Sequence, residues 1–252
     1  MIMLAASCSP FTASEGDPAA PDGGVVTPMP DGGIVGEGGV PPPREAGVDA
    51  AVDEAPVPGP YCRALAGAIQ CFDFDSAAPF AGLKPTVLSG NLAIQPTFPG
   101  GSLDSALSAM VMGPNGKAVV TPPVIDLTKH RSTLLKIDFL FSFANAAVAP
   151  EYLARLVFGG TVVSVALTAG NGLQCGASVL SSVLPGAKQT LSIQLPVDGS
   201  GSVTAFSCAL NGGATSATTN VAKSTKLQVE LGNAASGSGN FSVLYDNFVI
   251  HE

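Results

Sequence analysis

Several carboxylates of this sequence stand among apolar residues, where an acid must either do chemistry or be neutralised. The stretch Cys71-Phe72-Asp73-Phe74-Asp75 alternates aromatic and acidic side chains, and Asp246 lies in the apolar run FSVLYDNFVIHE. A buried carboxylate without a partner is costly, so it needs a cation or several N–H donors. Such acids could act in general acid–base catalysis, or they could bind calcium, which takes about six to eight oxygen ligands.

The remaining acids and histidines argue against catalysis. Retaining glycoside hydrolysis needs two carboxylates about 5 Å apart, and no Glu-x-Asp-x-x-Glu strand supplies them. The histidines belong to no Gly-x-Ser-x-Gly or His-Glu-x-x-His motif, and we interpret both as surface residues. We therefore expect no enzyme activity and no catalytic residue. The glutamates and histidines of residues 61–252 are Glu151, Glu230, Glu252, His130 and His251.

These residues must be positioned by strands, because the apolar residues repeat with a period of two. The strongest core strand runs from Leu135 to Phe143, with its odd-numbered residues on one face. The same alternation puts Phe72 and Phe74 on one face of the first strand, and Cys71, Asp73 and Asp75 on the other. In the last strand it predicts a shared face for Leu244, Asp246, Phe248 and Ile250.

About a dozen short strands follow one another, separated by glycine- and proline-containing turns such as Gly113-Pro114-Asn115-Gly116. They predict an all-β fold, a two-sheet antiparallel jelly-roll sandwich over residues 61–252, whose first and last strands lie side by side. A short helical turn is expected over residues 150–153. The predicted strands are 92–97, 106–112, 117–120, 135–143, 153–158, 161–168, 177–183, 191–195, 202–210, 227–231 and 240–250.

Four features together resemble concanavalin A-like and laminin G-like domains of bacterial surface lipoproteins. They are the Cys-Phe-Asp-Phe-Asp strand, the long central apolar strand, the hairpin TLSIQLPVDGSGSVTAFSCALNGG and the terminal FSVLYDNFVIHE. The resemblance covers about residues 61–252. It implies a jelly roll outside the cytoplasm, with a function that ranges from sugar or protein binding to polysaccharide cleavage.

The resemblance also implies a structural calcium between the first and last strands. The corresponding ligands are Asp73 or Asp75 and Asp246. The alternative is that Asp246 accepts backbone hydrogen bonds or lies at a bulge, while Asp73 and Asp75 face water. No dense acidic loop of the DxDxDG kind decides between the two.

The N-terminal residues differ sharply from the rest. Residues 1–60 contain 11 of the 21 prolines, and with nine acids against one base they carry the whole net charge of −8. Residues 9–60 are expected to be a disordered linker. Leu4 to Cys8 resembles a bacterial lipobox, which predicts residues 1–8 as a partial lipoprotein signal with lipidation at Cys8; the alternative is an untargeted terminus with a free thiol.

The other four cysteines indicate an exported protein with disulfide bonds. Their number is even, and no CxxC spacing points to a metal. Three pairings are possible, and we favour Cys62 with Cys71 and Cys175 with Cys208, because each pair is close in the predicted order of strands. The alternative is four buried thiols in a cytosolic protein.

Charge and composition exclude several classes of function. No basic patch indicates nucleic acid, and the glycines of residues 23–39 have no strand or helix around them to bind a nucleotide. The domain has no Trp and three tyrosines, Tyr61, Tyr152 and Tyr245, which disfavours a stacking platform for sugars. We expect a lipid-anchored, noncatalytic binding module on the outer membrane or cell surface, with a glycan or a surface protein as its partner. The alternatives are a structural envelope protein or, less favoured, an atypical polysaccharide hydrolase.

Overall fold

The structure, a computed structural model, describes residues 60–96, 105–148, 150–235 and 240–252. Cys8 and residues 9–59 lie outside this range. The described residues begin with a short helix, α1, at Pro60–Ala64, and a 3₁₀ helix occupies Leu127–Lys129. No helix among the described residues could span a bilayer. The strands are β1 Gln70–Phe72, β2 Lys84–Leu88, β3 Gly90–Gln95, β4 Ala106–Met112, β5 Lys117–Thr121, β6 Ile125–Asp126, β7 Leu134–Phe143, β8 Glu151–Phe158, β9 Thr161–Leu167, β10 Gly172–Cys175, β11 Ser178–Ser182, β12 Gln189–Pro196, β13 Val203–Leu210, β14 Thr219–Ser224, β15 Lys226–Ala235 and β16 Asn240–His251.

The described strands form two antiparallel sheets that pack face to face. The first sheet has the order β14-β13-β12-β7-β16-β4-β3, with β1 also paired to β16. The second sheet has the order β11-β10-β9-β8-β15-β5-β2, with β6 also paired to β15. The expected jelly-roll sandwich is therefore confirmed, and so is the pairing of the first strand with the last.

The alternating apolar residues of β7, β12 and β15 fill the space between the sheets. Leu135, Ile137 and Phe139 are at most 1 % exposed, as the period of two predicted. Phe139 contacts Tyr245 of β16 with ring centroids 5.9 Å apart. Burial of these side chains supplies the main stabilisation of the fold, at roughly 25 cal/mol per Å² of apolar surface.

Tyr245 joins the two sheets through its hydroxyl group. The fully buried phenol lies within hydrogen-bond distance of two carbonyl oxygens of the second sheet, Leu153 at 3.1 Å and Gly232 at 2.9 Å, and its one proton is shared between them. Gly232 has φ +137°, and a Cβ there would overlap the Ala118 carbonyl oxygen, so glycine is required. Burial, followed by the charge of Glu151, raises the pKa of Tyr245 far above its usual value.

Glu151, at the start of β8, places its carboxyl group inside the sandwich. Its side chain is 3 % exposed, and its Oε2 has no hydrogen-bond partner among the described residues. Burial raises the pKa of Glu151 from 4.5 to about 7. The folded protein therefore favours the protonated acid at this position.

Two disulfides hold the sandwich, in the pairing that we favoured from the sequence. Cys62–Cys71 attaches α1 to β1, across nine residues of sequence. Cys175–Cys208 attaches β10 of the second sheet to β13 of the first, across 33 residues. Such bonds indicate an oxidising, extracellular environment.

Candidate functional site

The predicted calcium ligands Asp73 and Asp246 both lie near the phenol of Tyr61. Burial raises the pKa of Tyr61, and the negative charges of Asp138, Asp246 and Asp73 raise it further. Pairing of β1 with β16 brings Asp73 and Asp246 to this place, as the sequence predicted. Asp75 instead turns away and accepts a hydrogen bond from the Ser105 backbone N–H.

Asp73 is held by backbone N–H groups. Its Oδ2 accepts from Tyr61 N at 2.7 Å and from Cys62 N at 3.4 Å, and its Oδ1 accepts from Asp75 N at 2.9 Å. The Cys62–Cys71 bond keeps α1 close enough to supply two of these donors. Asp73 is 4 % exposed, so the alternative in which it faces water is wrong.

Asp246 lies at a bulge in β16. Its Oδ1 accepts from Asn247 N at 2.7 Å, and Asn247 adopts a left-handed backbone with φ 51°. The bulge shifts the register between Asp246 and Val249. Asp246 consequently pairs with Leu140 of β7, which alternates with the core residues, whereas Ile250 pairs with Ile137 of the core face. The predicted face shared by Asp246 and Ile250 is wrong, and the alternative of backbone bonding at a bulge is confirmed.

Backbone hydrogen bonds already use some of the carboxylate oxygens that a calcium ion would need. Both oxygens of Asp73 already accept hydrogen bonds, and the described residues contain no group of three or more His, Cys, Asp or Glu side chains arranged for a metal. Calcium binding therefore stays a prediction.

The calcium prediction has a direct test. Ca²⁺ added to EDTA-treated protein should raise the melting temperature, because a ligand that binds the folded state alone stabilises it. Asp246→Asn should abolish the rise, and Asp126→Asn, at an exposed turn, should keep it. An unchanged melting temperature together with no stoichiometric calcium in metal analysis contradicts the prediction.

Both histidines pair with carboxylates near the end of the described chain. His251 Nε2 lies 2.7 Å from Asp138 Oδ2, and His130 Nδ1 lies 2.7 Å from Glu252 Oε1. The four side chains remain partly exposed, between 16 % and 49 %. The two pairs fasten β16 and the residue after it to the adjoining strand and loop.

A second candidate site lies on the outer face of the second sheet, and the sequence did not predict it. Paired residues of seven strands form one line across that face, and we call this line the Tyr152 row. Tyr152 occupies its middle, with an alanine on each side. The row runs Leu88, Lys117, Ala234, Tyr152, Ala166, Gln174 and Val179.

The small alanines leave space on both sides of the Tyr152 ring. One pocket of about 460 Å³ and another of about 330 Å³ adjoin there, and both are lined by Tyr152 and Ser164. The larger pocket also includes Gln174 and Thr219, and the smaller includes Lys117 and Arg155. Together the pockets form a groove across the strands, with an aromatic ring at its centre and polar groups at both ends.

Lys117 and Arg155 are held in place by one acid. Glu230 Oε1 accepts from Lys117 Nζ at 2.9 Å, and Glu230 Oε2 accepts from Arg155 Nη1 at 3.0 Å. All three residues belong to the outer face of β5, β8 and β15. The two bonds restrict the long cationic side chains at the edge of the groove.

The strand β8 points Tyr152 outward because it alternates from its first residue. Glu151 points inward and Tyr152 outward, and β8 pairs with β9 and β15 on its two sides. The helical turn expected over residues 150–153 is wrong, because hydrogen bonding to two neighbouring strands overrides the local helical preference of a Pro-Glu pair.

Comparison with solved structures shows the fold. One similar structure, the cellulose induced protein Cip1, has 13% identity and a TM-score of 0.54, and the match covers 72% of this chain and 96% of that one. Another, a carbohydrate esterase from the Shiga toxin-encoding bacteriophage phi24B, has 12% identity and a TM-score of 0.51, with 73% and 97% covered. No protein-family model and no curated protein matches the sequence. The chain has a two-sheet jelly-roll fold.

Proposed function

We propose that this protein is a noncatalytic glycan-binding module that a lipid on Cys8 holds at the outer surface of a bacterial cell. The glycan lies in the groove of the Tyr152 row. Residues 9–60 act as the spacer between the lipid and the sandwich. The observation that carries the proposal is the partly exposed Tyr152 ring between two adjoining pockets.

The chemistry of the groove suits a sugar chain. A tyrosine ring offers a flat apolar face with a polar tip, and the C–H groups on one side of a sugar ring can pack against such a face. Ser164, Gln174 and Thr219 present hydroxyl and amide groups, which can both donate to and accept from sugar hydroxyls. One of the two similar structures is named as a carbohydrate esterase, although that name does not carry the proposal.

The composition of the groove supports a binding role rather than hydrolysis. The described residues that line the two pockets contain no Asp, Glu or His. Glu230 contacts Lys117 and Arg155 at the edge of the groove, and each of its oxygens already accepts from one of these cations. Hydrolysis with an acid and a nucleophile needs two carboxylates at the scissile bond, and these lining residues supply none.

Tyr152→Ala is expected to weaken glycan binding by tenfold or more, because truncating an aromatic hot spot at the centre of a binding site costs about 2 kcal/mol or more, and about 1.4 kcal/mol is tenfold. Tyr152→Phe keeps the ring and should keep most of the affinity. The measurement is a glycan array, followed by titration calorimetry on the oligosaccharides that bind. Thermal melts of both variants should match that of the unaltered protein, because Tyr152 lies on the outer face.

An array on which no glycan binds reproducibly, or on which Tyr152→Ala changes nothing, contradicts the proposal. The first result favours a structural envelope protein without a small ligand. Turnover of a polysaccharide by the unaltered protein would contradict the noncatalytic part.

A further inference from the structure

The two ends of the groove differ in charge. The larger pocket is lined by uncharged residues, among them Gln174, Ser164 and Thr219. The smaller pocket contains Lys117 and Arg155, and Glu230 lies between them as their shared acceptor. Two cations against one anion leave a net positive charge at this end, while residues 61–252 as a whole have ten acids and ten bases.

Glu230 does not use all the donors of the two cations. It accepts one bond from Lys117 and one from Arg155, whereas an ammonium has three N–H donors and a guanidinium five. The side chains are 24 % and 29 % exposed, and Glu230 is more deeply placed at 14 %. An acidic group that enters from solvent therefore meets the cations before it meets Glu230.

We infer that the groove takes an anionic saccharide, a chain of uronic acid units. This inference rests on the proposed function and names its ligand class. A ligand carboxylate binds Lys117 and Arg155 in the smaller pocket, the sugar ring that bears it packs on Tyr152, and the adjoining unit extends toward Gln174. The planar guanidinium matches a carboxylate with two parallel hydrogen bonds, and Glu230 has already fixed its orientation.

Asn115 strengthens the choice of a sugar acid over a simple anion. It lines the smaller pocket beside Lys117, so an amide that can bond hydroxyls stands next to the cations. A small anion would use the two cations alone. A uronic acid would use the cations, the amide and the ring of Tyr152 together.

The test uses oligomers of galacturonate, glucuronate-containing hyaluronan and alginate, each compared with its methyl ester, in which the same sugar backbone has lost its charge. We expect at least one acid oligomer to bind, and its ester to bind roughly tenfold more weakly, because the charge-assisted bonds are gone. Raising the salt concentration should weaken the binding of the acid oligomer and leave the binding of its ester unchanged.

Variants locate the charge. Lys117→Gln and Arg155→Gln should each lower the affinity for the acid oligomer several-fold and leave the affinity for its ester unchanged. Glu230→Gln should raise the affinity for the acid oligomer, because it removes the negative charge that competes with the ligand carboxylate for the two cations. Lys84→Gln is the matched control: it removes one positive charge from the exposed edge strand β2, outside the groove, and should change neither affinity.

The outcomes separate this inference from the proposed function. One outcome is that neutral oligosaccharides bind more tightly than every acid oligomer, that Tyr152→Ala abolishes this binding, and that Lys117→Gln and Arg155→Gln do not change it. This outcome overturns the inference and keeps the glycan-binding function. Absence of any Tyr152-dependent binding overturns both. Circular dichroism melts of each variant establish that a loss of affinity is not a loss of folding.

Discussion

Glu151→Gln is expected to stabilise the domain by about 3 kcal/mol at pH 8 and to change its stability little at pH 4.5. The pKa of Glu151 is about 7 in the folded protein and 4.5 for the ordinary group. Between these values the unfolded chain has released a proton that the folded protein retains, so stability falls as pH rises and levels off above pH 7. A gap of roughly 2.5 pH units at about 1.4 kcal/mol per unit gives the expected size. The glutamine amide is similar in shape to the carboxyl group and carries no charge, so the loss of stability with rising pH should disappear.

Urea denaturation at several pH values between 4.5 and 8 measures this effect. The unaltered protein should lose stability over that interval, and the Glu151→Gln protein should not lose this share of it. Glu230→Gln is the matched control: it removes another partly buried glutamate and leaves Glu151 in place, so this protein should lose stability with rising pH as the unaltered protein does. If the free energy of unfolding varied with pH in the same way for the unaltered protein and for Glu151→Gln, the Glu151 carboxyl group would ionise at the same pH in the folded and unfolded chain, which contradicts the prediction.

Removal of the Cys175–Cys208 disulfide by a double substitution to alanine is expected to cost about 3.5 kcal/mol, the loop-entropy value for a closed segment of 33 residues. The bond joins the two sheets near one edge of the sandwich, and both cysteines are fully buried, so lost packing adds to the cost. The measurement is the free energy of unfolding from urea titration under oxidising conditions.

The Cys62–Cys71 pair supplies the comparison. Its shorter segment of nine residues gives about 2.5 kcal/mol on the same scale. The Cys175→Ala, Cys208→Ala protein should therefore unfold at a lower urea concentration than the Cys62→Ala, Cys71→Ala protein. An equal or reversed order would mean that attachment of α1 matters more to the sandwich than the link between its sheets.

Strand positions were largely predictable from the sequence, because alternation reports directly on which residues a strand buries. β4 was predicted at its observed limits, and the apolar face of β7 is buried as expected. β2 was missed because all five of its residues are exposed, so that no burial imposes a period. β14 was missed for a similar reason, as an edge strand with a mostly polar sequence.

The candidate site could be predicted only where it depends on local sequence. The two disulfides and the approach of Asp73 to Asp246 follow from the order of the strands. The face of Asp246 depends on a single left-handed residue, Asn247, which alternation cannot reveal. The Tyr152 row depends on the registers of β8 with β9 and β15, which join residues far apart in the chain, and each register would have to be known within one residue to place the alanines beside the ring.

The Cys62–Cys71 bond also limits how far β1 can be pulled away from the backbone of Cys62. While the bond is closed, the two Cα atoms stay 5.6 Å apart and the eight residues between the cysteines bear no tension. A pull on the N-terminal side passes directly into β1, which is paired to β16 in the middle of the first sheet. Reduction would release the stored segment and add about 25 Å of reach at roughly 3.4 Å per residue. The closed bond thus limits the length to which this part of the chain can extend. A single-molecule pulling experiment would distinguish the oxidised from the reduced protein by this difference in extension.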